Sequence, residues 1–403
     1  MSVGKKQSVP SIAQSEFEAR IARAQELMRA AGLDALLVHS SEADQGNVRY
    51  FSDYWPLFEC AGVLIPADGE PALLVGPESG AYAHDRSKIR RIYQLLEYRE
   101  PAEPDYPGVD VDTFEQVFLG HCGTLPKKVG IGGWALLTVP IWQSLQSSMP
   151  ATEFVRAEDI MVTLRQVKSP AEIECIAAAF RISERAMQVV LDKLRPGASE
   201  YEMVGVAQKE LYFAGAEYEG HALYVLSGLS SAHAISRPTA HTIREGEMVQ
   251  LNIGARVSGY SSSVGRPAYM GRMPASVREL VEFGLEAHHW TVERMQPGTP
   301  VANIAEEYDA WVKSRGYGEY LLYGPCHSIG IIEVEAPWVE KTSTYELQPG
   351  MVFQVDTFFY TPEGSCLAAD GIFGLRWEDG LLITEDGNRL LSSEHLECIE
   401  ISN

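Results

Sequence analysis

Long apolar runs are missing from this chain of 403 residues. None approaches the ~20 residues that a membrane-spanning helix needs. The opening residues, MSVGKKQSVPSIAQ, also lack the apolar segment of a signal peptide. Cysteine is sparse: six residues, at 60, 122, 175, 326, 366 and 398, with no C-x-x-C and no paired spacing. That scatter excludes a disulfide framework and points to reduced thiols, so a cytoplasmic protein is the expectation. Basic residues are in deficit, 33 Lys and Arg against 55 Asp and Glu, for a net charge of −22. No Lys/Arg cluster could neutralise phosphates, which excludes nucleic acid as a partner and disfavours anionic membrane surfaces.

What is present is ordinary for a globular enzyme: 45% hydrophobic and 22% charged residues, in a chain long enough for two domains. Residues 14–160 read as an α/β domain with a mixed sheet. Phe17, Ile21, Ala24, Leu27 and Met28 share one face of a helix over 15–31 that Gly32 stops. Strands follow at 35–39, 61–66, 71–75 and 129–132, and residues 47–51 lead into an irregular segment. Residues 165–403 read as a second domain. Ser169 and Pro170 start a helix over 173–193. Further helices are expected at 201–214, capped by Ser199, at 276–295 and at 301–315. Strands are expected near 220–226, 248–270, 351–360 and 371–384. The fold class is α+β, a curved antiparallel sheet backed by helices. Residues 1–13 read as a mobile tail.

Three side chains with ligand chemistry fall on the late strands and turns. His327 sits just before Gly330. Asp356 lies inside the nearly continuous apolar run 351–360, where an unpaired charge would be costly to bury. Glu378 ends a strand on which Arg376, at i−2, shares its face. A neighbouring positive charge is expected to keep Glu378 ionised. With Asn252 and Ser263, these three could line one pocket. Carboxylates at 252 and 263 would complete a five-ligand cage for two ions; an amide and a hydroxyl are poor ligands for a catalytic divalent cation.

The C-terminal half resembles the creatinase / aminopeptidase P / methionine aminopeptidase family, the pita-bread (peptidase M24-like) hydrolases, and weaker likeness extends over the N-terminal half as a creatinase-like domain. The family's D-x-G step matches Asn252, and its S-D-x-T-R step matches Ser263. Its G-H-x-x-G histidine matches His327, in Pro325-Cys326-His327-Ser328-Ile329-Gly330. Its two late glutamates match Asp356, after Leu347-Gln348-Pro349-Gly350-Met351-Val352, and Glu378, in Arg376-Trp377-Glu378-Asp379. The shorter Asp356 retracts its carboxylate by about 1.5 Å. The resemblance also implies a substrate-facing histidine in an S-G-x-x-S/A-x-x-H step. His233 fits this, with His241 as competitor. An imidazole, with pKa near ~6.5, suits proton transfer at neutral pH. The histidine of the peptidases' V-H-E-x-P step is replaced by Val334, between Glu333 and Glu335, either of which could take over its work. Creatinase's substrate-binding glutamate before its R-T step is also missing, Gly265 standing before Arg266, so creatine itself is not the expected substrate.

With two acids gone, the expectation is a creatinase-like, metal-independent hydrolase with no cofactor, acting on a non-peptide C–N bond of a small polar amidine, guanidino or amide-like molecule. His233, His327 and Glu378 are the candidate catalytic residues. Asp356, Arg376, Asn252, Ser263, Tyr323 and Trp55 are the candidate substrate contacts, with Phe58 beside Trp55 in a possible lid. One alternative is a mononuclear-metal hydrolase or lyase, with His327, Asp356 and Glu378 as ligands, or an Xaa-Pro peptidase of the same family. The other is an inactive ligand- or partner-binding member of the fold. The resemblance implies a homodimer with a small-molecule substrate.

Overall fold

The computed structural model describes residues 9–402, so the first eight residues of the expected tail lie outside it. Two compact units are present, Ile12–Arg165 and Gln166 onward, the latter taking in the few described residues before Ile12. No helix among the described residues is long and apolar enough to cross a membrane.

The first unit carries a mixed six-stranded sheet, as expected. Its central strand Ala35–Ser40 pairs antiparallel with Ala61–Pro66 and parallel with Lys128–Gly132. Helix Gln14–Ala30 buries Phe17, Ala24 and Met28. The region around residues 47–51 carries a helix, Gly46–Ser52, that sequence periodicity did not announce. Side-chain acceptors make it possible: Asp44 Oδ1 takes the Gly46 N–H at 3.2 Å and Ser40 Oγ the Val48 N–H at 3.0 Å. Those first N–H groups have no partner within the helix.

In the second unit, helix Pro170–Leu191 opens with a capping box. The Glu172 N–H donates to Ser169 Oγ at 3.2 Å, and the Ser169 N–H donates to Glu172 Oε2 at 2.8 Å. Ser199 caps Glu200–Ala214 in the same position, accepting from Glu202 at 3.1 Å. The main sheet runs, in spatial order, Glu335–Trp338, Cys326–Ser328, Val352–Tyr360, Gly374–Thr384, Val264–Met270, Met248–Ile253 and Tyr224–Ser227, each pair antiparallel. The expected 248–270 ribbon is interrupted. Ala255–Val257 and Tyr260–Ser261 leave the main sheet and join Tyr218–Glu219 in a small second one. Helix Ala275–Arg294 packs on the back, where the Trp377 indole donates to the Val281 carbonyl at 3.0 Å. The fold is therefore the expected one, with a curved antiparallel sheet in the C-terminal unit.

Glu378 and Asp379 point to opposite faces of one strand. Asp379 faces the back, where it meets Arg266 at 2.8 Å, His288 at 3.2 Å and the Ser392 hydroxyl at 2.5 Å. Burial works against its charge, but Arg266 and His288 prevail and hold the carboxyl below its usual range. Asp379→Ala would leave Arg266 buried without its counter-charge. The expected cost is about 3–5 kcal/mol, read as a lower urea midpoint for the C-terminal unit. Combining Arg266→Met with Asp379→Leu should recover part of that loss.

Candidate functional site

The front of the sheet is organised by register. Asn252 pairs with Gly265, Gly265 with Glu378, and Glu378 with Asp356. One row across four strands thus carries three polar side chains on a single face. Gly265 is the gap in that row: a Cβ there would stand 2.7 Å from Glu378 Cβ and 3.0 Å from Arg376 Cγ. The next strand over supplies His327, opposite Gln354. His327, Asp356 and Glu378 each present a ligand atom within 4.8 Å of the others, and all three are buried.

Arg376 ties the cluster together. Nη1 donates to Asp356 Oδ2 at 3.3 Å and lies 3.7 Å from Glu378 Oε2. Nε donates to Gln250 Oε1 at 3.1 Å and Nη2 to the Ala234 carbonyl at 2.7 Å. Tyr323 adds its hydroxyl to Asp356 Oδ2 at 2.6 Å. Asn252 Nδ2 donates to Glu378 Oε2 at 2.6 Å, and Ser263 Oγ stands 2.6 Å from Asn252 Oδ1. Every one of these contacts uses a single oxygen of each carboxylate. Asp356 Oδ1 and Glu378 Oε1 remain buried without a partner.

The expectation that Arg376 keeps Glu378 ionised needs correction. Burial first, and then the charge of Asp356, push Glu378 up to about 8 despite Arg376. Glu333 sits beside it, its Oε1 3.8 Å from His327 Nε2. Burial and Asp356 likewise push Glu333 up to about 7. Arg376 itself is held above its usual value: burial opposes its charge, but Asp356, Tyr323, Glu378 and Glu333 outweigh it. One guanidinium thus faces three carboxylates, an excess of two negative charges when all are ionised.

The choice between the two glutamates of the turn is decided by Lys168. Its Nζ lies 3.2 Å from Glu335 Oε1 and donates to Ser328 Oγ at 3.1 Å, so Glu335 turns away and Glu333 joins the site. Val334 between them is exposed. His233 is exposed, with Nδ1 3.3 Å from Ser236 Oγ. Its loop is nevertheless bound to the site: Gln250 Nε2 donates to the Ser231 and His233 carbonyls at 2.8 and 3.1 Å. His241 is occupied elsewhere, 3.1 Å from Glu247 Oε2. Trp55 belongs to the N-terminal unit, where its indole donates to the Glu42 carbonyl at 3.0 Å, and Phe58 is exposed there.

His221 was not singled out from the sequence, yet its Nε2 lies 3.0 Å from Ser263 Oγ. Its Nδ1 faces the Ala222 carbonyl at 2.6 Å and must carry the proton. Burial pushes the ring down to about 4, opposed by that carbonyl and assisted by Arg376. The backbone approach that brings it in needs glycine: a Cβ on Gly254 would lie 2.2 Å from the Ser262 carbonyl and 2.8 Å from the His221 ring. A Gly-His step before a strand is the only sequence signal, and it is weak. Aromatic rings wall the site: Tyr323 stacks on Phe358 at 5.9 Å, and Trp338 stands 5.8 Å from His327.

The neutral amide at 252 thus does two things, donating to Glu378 and sparing the cluster a fourth charge. Asn252→Asp should lower the unfolding free energy by about 1–3 kcal/mol, with Asn252→Ala costing less. Thermal denaturation in metal-free buffer checks the order.

The donor set fits a single divalent cation. His327 Nδ1 donates to the Ser328 carbonyl at 3.0 Å, which leaves Nε2 as the lone-pair nitrogen that a metal takes. Both unpartnered carboxylate oxygens belong to the same cluster. A second ion does not fit, because Asn252 and Ser263 are engaged with each other and add no charge.

Comparison with known proteins points the same way. The description of metallopeptidase family M24 matches residues 174–385, and that of the creatinase/prolidase N-terminal domain matches residues 20–167. An Xaa-Pro dipeptidase of Pyrococcus furiosus is 27% identical over 354 residues, 88% of this chain and 92% of that protein. An uncharacterised peptidase of Bacillus subtilis is 28% identical over 372 residues, 91% of this chain and 96% of that one. Among solved structures, the prolidase from Pyrococcus horikoshii has a TM-score of 0.79 at 24% identity, covering 94% of this chain and 100% of that one. A dipeptidase from Mycobacterium ulcerans has a TM-score of 0.82 at 20% identity, covering 98% and 100%. The expectation of a hydrolase agrees with relatives whose names are those of hydrolases. The expectations of metal independence, of no cofactor and of a non-peptide substrate are overturned by the same relatives, which are named as peptidases of a metallopeptidase family. The physical error was to weigh the two lost acids rather than the uncompensated charge left behind. With the M24 description spanning more than half of its length, the chain belongs to metallopeptidase family M24.

Proposed function

We propose that this chain is a peptidase of the Xaa-Pro dipeptidase type that works with one divalent cation, held by His327, Asp356 and Glu378. The observation that carries the reading is the pair of buried, unpartnered oxygens, Asp356 Oδ1 and Glu378 Oε1, converging with His327. An imidazole with two carboxylates suits Mn²⁺ or Zn²⁺. Such an ion supplies Lewis-acid polarisation of a carbonyl and makes water more acidic.

The chain's own residues do the rest. Arg376 and Tyr323 occupy Oδ2 of Asp356, and Asn252 occupies Oε2 of Glu378, so each carboxylate has one orientation with its other oxygen available. The loop of residues 231–234 is fastened to the sheet by Gln250 and Arg376, and on this reading its His233 protonates the leaving nitrogen. Trp338, which is exposed beside His327, offers a flat apolar face on which a pyrrolidine ring can pack, while buried Phe358 backs Tyr323.

Elemental analysis of the purified protein should find one equivalent of a divalent transition metal. Chelation should abolish cleavage of Xaa-Pro dipeptides and added Mn²⁺ should restore it. Glu378→Gln and Asp356→Asn should each lower kcat/KM by at least about a hundredfold, and His233→Ala should lower kcat more than it raises KM. Full-rate hydrolysis by metal-free protein would overturn the reading. So would one bound ion with no cleavage of any Xaa-Pro dipeptide, an outcome that favours a binding role.

A further inference from the structure

The turn that carries Glu333 contributes more to the site than its position in the sequence suggests. We infer that Glu333 is a fourth ligand of the same cation, standing in for the acids that the strand pair no longer supplies at Asn252 and Ser263. This rests on the one-cation reading.

Four observations carry it. First, Glu333 Oε1 lies 3.8 Å from His327 Nε2. Metal–nitrogen and metal–oxygen bonds of about 2.0–2.2 Å put two ligand atoms sharing an ion roughly 3–4 Å apart, so the separation suits a shared ion better than a direct hydrogen bond. Second, the pocket it enters is buried. The Asp356 and Glu378 side chains are 6% and 0% exposed, and one oxygen of each is aimed inward without a partner. Glu333 stands beside that group of three, next to His327, at 15% exposure. Third, among the described residues no Lys or Arg pairs with Glu333 in the way that Lys168 pairs with Glu335 at 3.2 Å. The guanidinium that bears on it is Arg376, already engaged by Asp356 and lying 3.7 Å from Glu378. Fourth, Asp356, Glu378 and Glu333 against Arg376 leave two negative charges, the amount one divalent ion neutralises. Without Glu333 the loaded site would carry a net positive charge in a buried place.

The arrangement also accounts for Val334. The side chain between the two glutamates is exposed. The turn thus sends Glu333 toward His327 and Glu335 to Lys168, with Val334 facing solvent between them.

The test is calorimetric titration of chelator-stripped full-length protein with Mn²⁺. Wild type should bind one equivalent. Glu333→Gln should weaken binding by at least about tenfold, and Glu333→Asp, whose carboxylate is retracted, should fall between the two. Glu340→Gln, at an exposed position beyond the turn, should bind as wild type does. Far-ultraviolet circular dichroism run alongside verifies the fold, and Glu333→Asp keeps the test open if Glu333→Gln misfolds. If Glu333→Gln or Glu333→Asp binds one ion as tightly as wild type, the fourth-ligand assignment falls while the one-cation site stands. If wild type binds no ion, or two, the underlying reading falls and takes this one with it.

Discussion

Strand spacing is the constraint on which the site depends. Adjacent strands lie about 4.7–4.9 Å apart, and here Glu378 and Asp356 are direct partners in register, with Asn252 one glycine beyond. Side chains that are direct partners on neighbouring strands are thereby near enough for their carboxylates to converge on one point. A slip of one residue would turn Glu378 to the back and bring Asp379 forward. The back is prepared for Asp379 alone, with Arg266, His288 and Ser392 waiting for it. The buried ion pair behind the sheet therefore holds the register on which the front relies.

Charge explains the composition of the front. Acids at 252 and 263 would raise the excess of negative charge from two to four, a load suited to two divalent ions. An amide and a hydroxyl leave the load at two, and they also join the hydrogen-bond chain from Glu378 through Asn252 and Ser263 to His221. The substitutions thus change the number of ions that can be balanced without emptying the pocket. Burial first, and the charge of Asp356 second, raise Glu378 and Glu333, so in the cation-free site protons relieve part of the excess.

Much of this was legible in the sequence, for identifiable reasons. Helix starts at Ser169 and Ser199 are local hydrogen-bond chemistry and need no tertiary knowledge. His327, Asp356 and Glu378 lie in short motifs whose surroundings are distinctive. What was illegible depends on long-range contacts. His221 reaches Ser263 only because Gly254 lets two backbone segments approach. Glu333 and Glu335 are two apart on an irregular turn, where strand alternation gives no direction; the deciding group, Lys168, lies 167 positions before Glu335. The ionisation of Glu378 was misjudged because Arg376 was visible as its neighbour, whereas burial and the opposing Asp356 were not.

The metal question shows why counting ligands is weaker than balancing charge. Seen position by position, the chain has lost two of five acids and histidines and given up part of the reach of a third. Seen as a buried volume, the pocket contains three carboxylates, one guanidinium, and two oxygens with nothing to accept from. Unpaired buried acceptors carry a desolvation cost that nothing in the protein offsets. On the proposed reading, a bound cation offsets that cost at Asp356 and Glu378. Binding then adds to the stability of the folded state in proportion to the logarithm of ion concentration over Kd. The same residues that make the empty pocket unfavourable make the loaded one favourable, so stability and activity in this unit should be governed by one equilibrium, the occupancy of the cluster around Glu378.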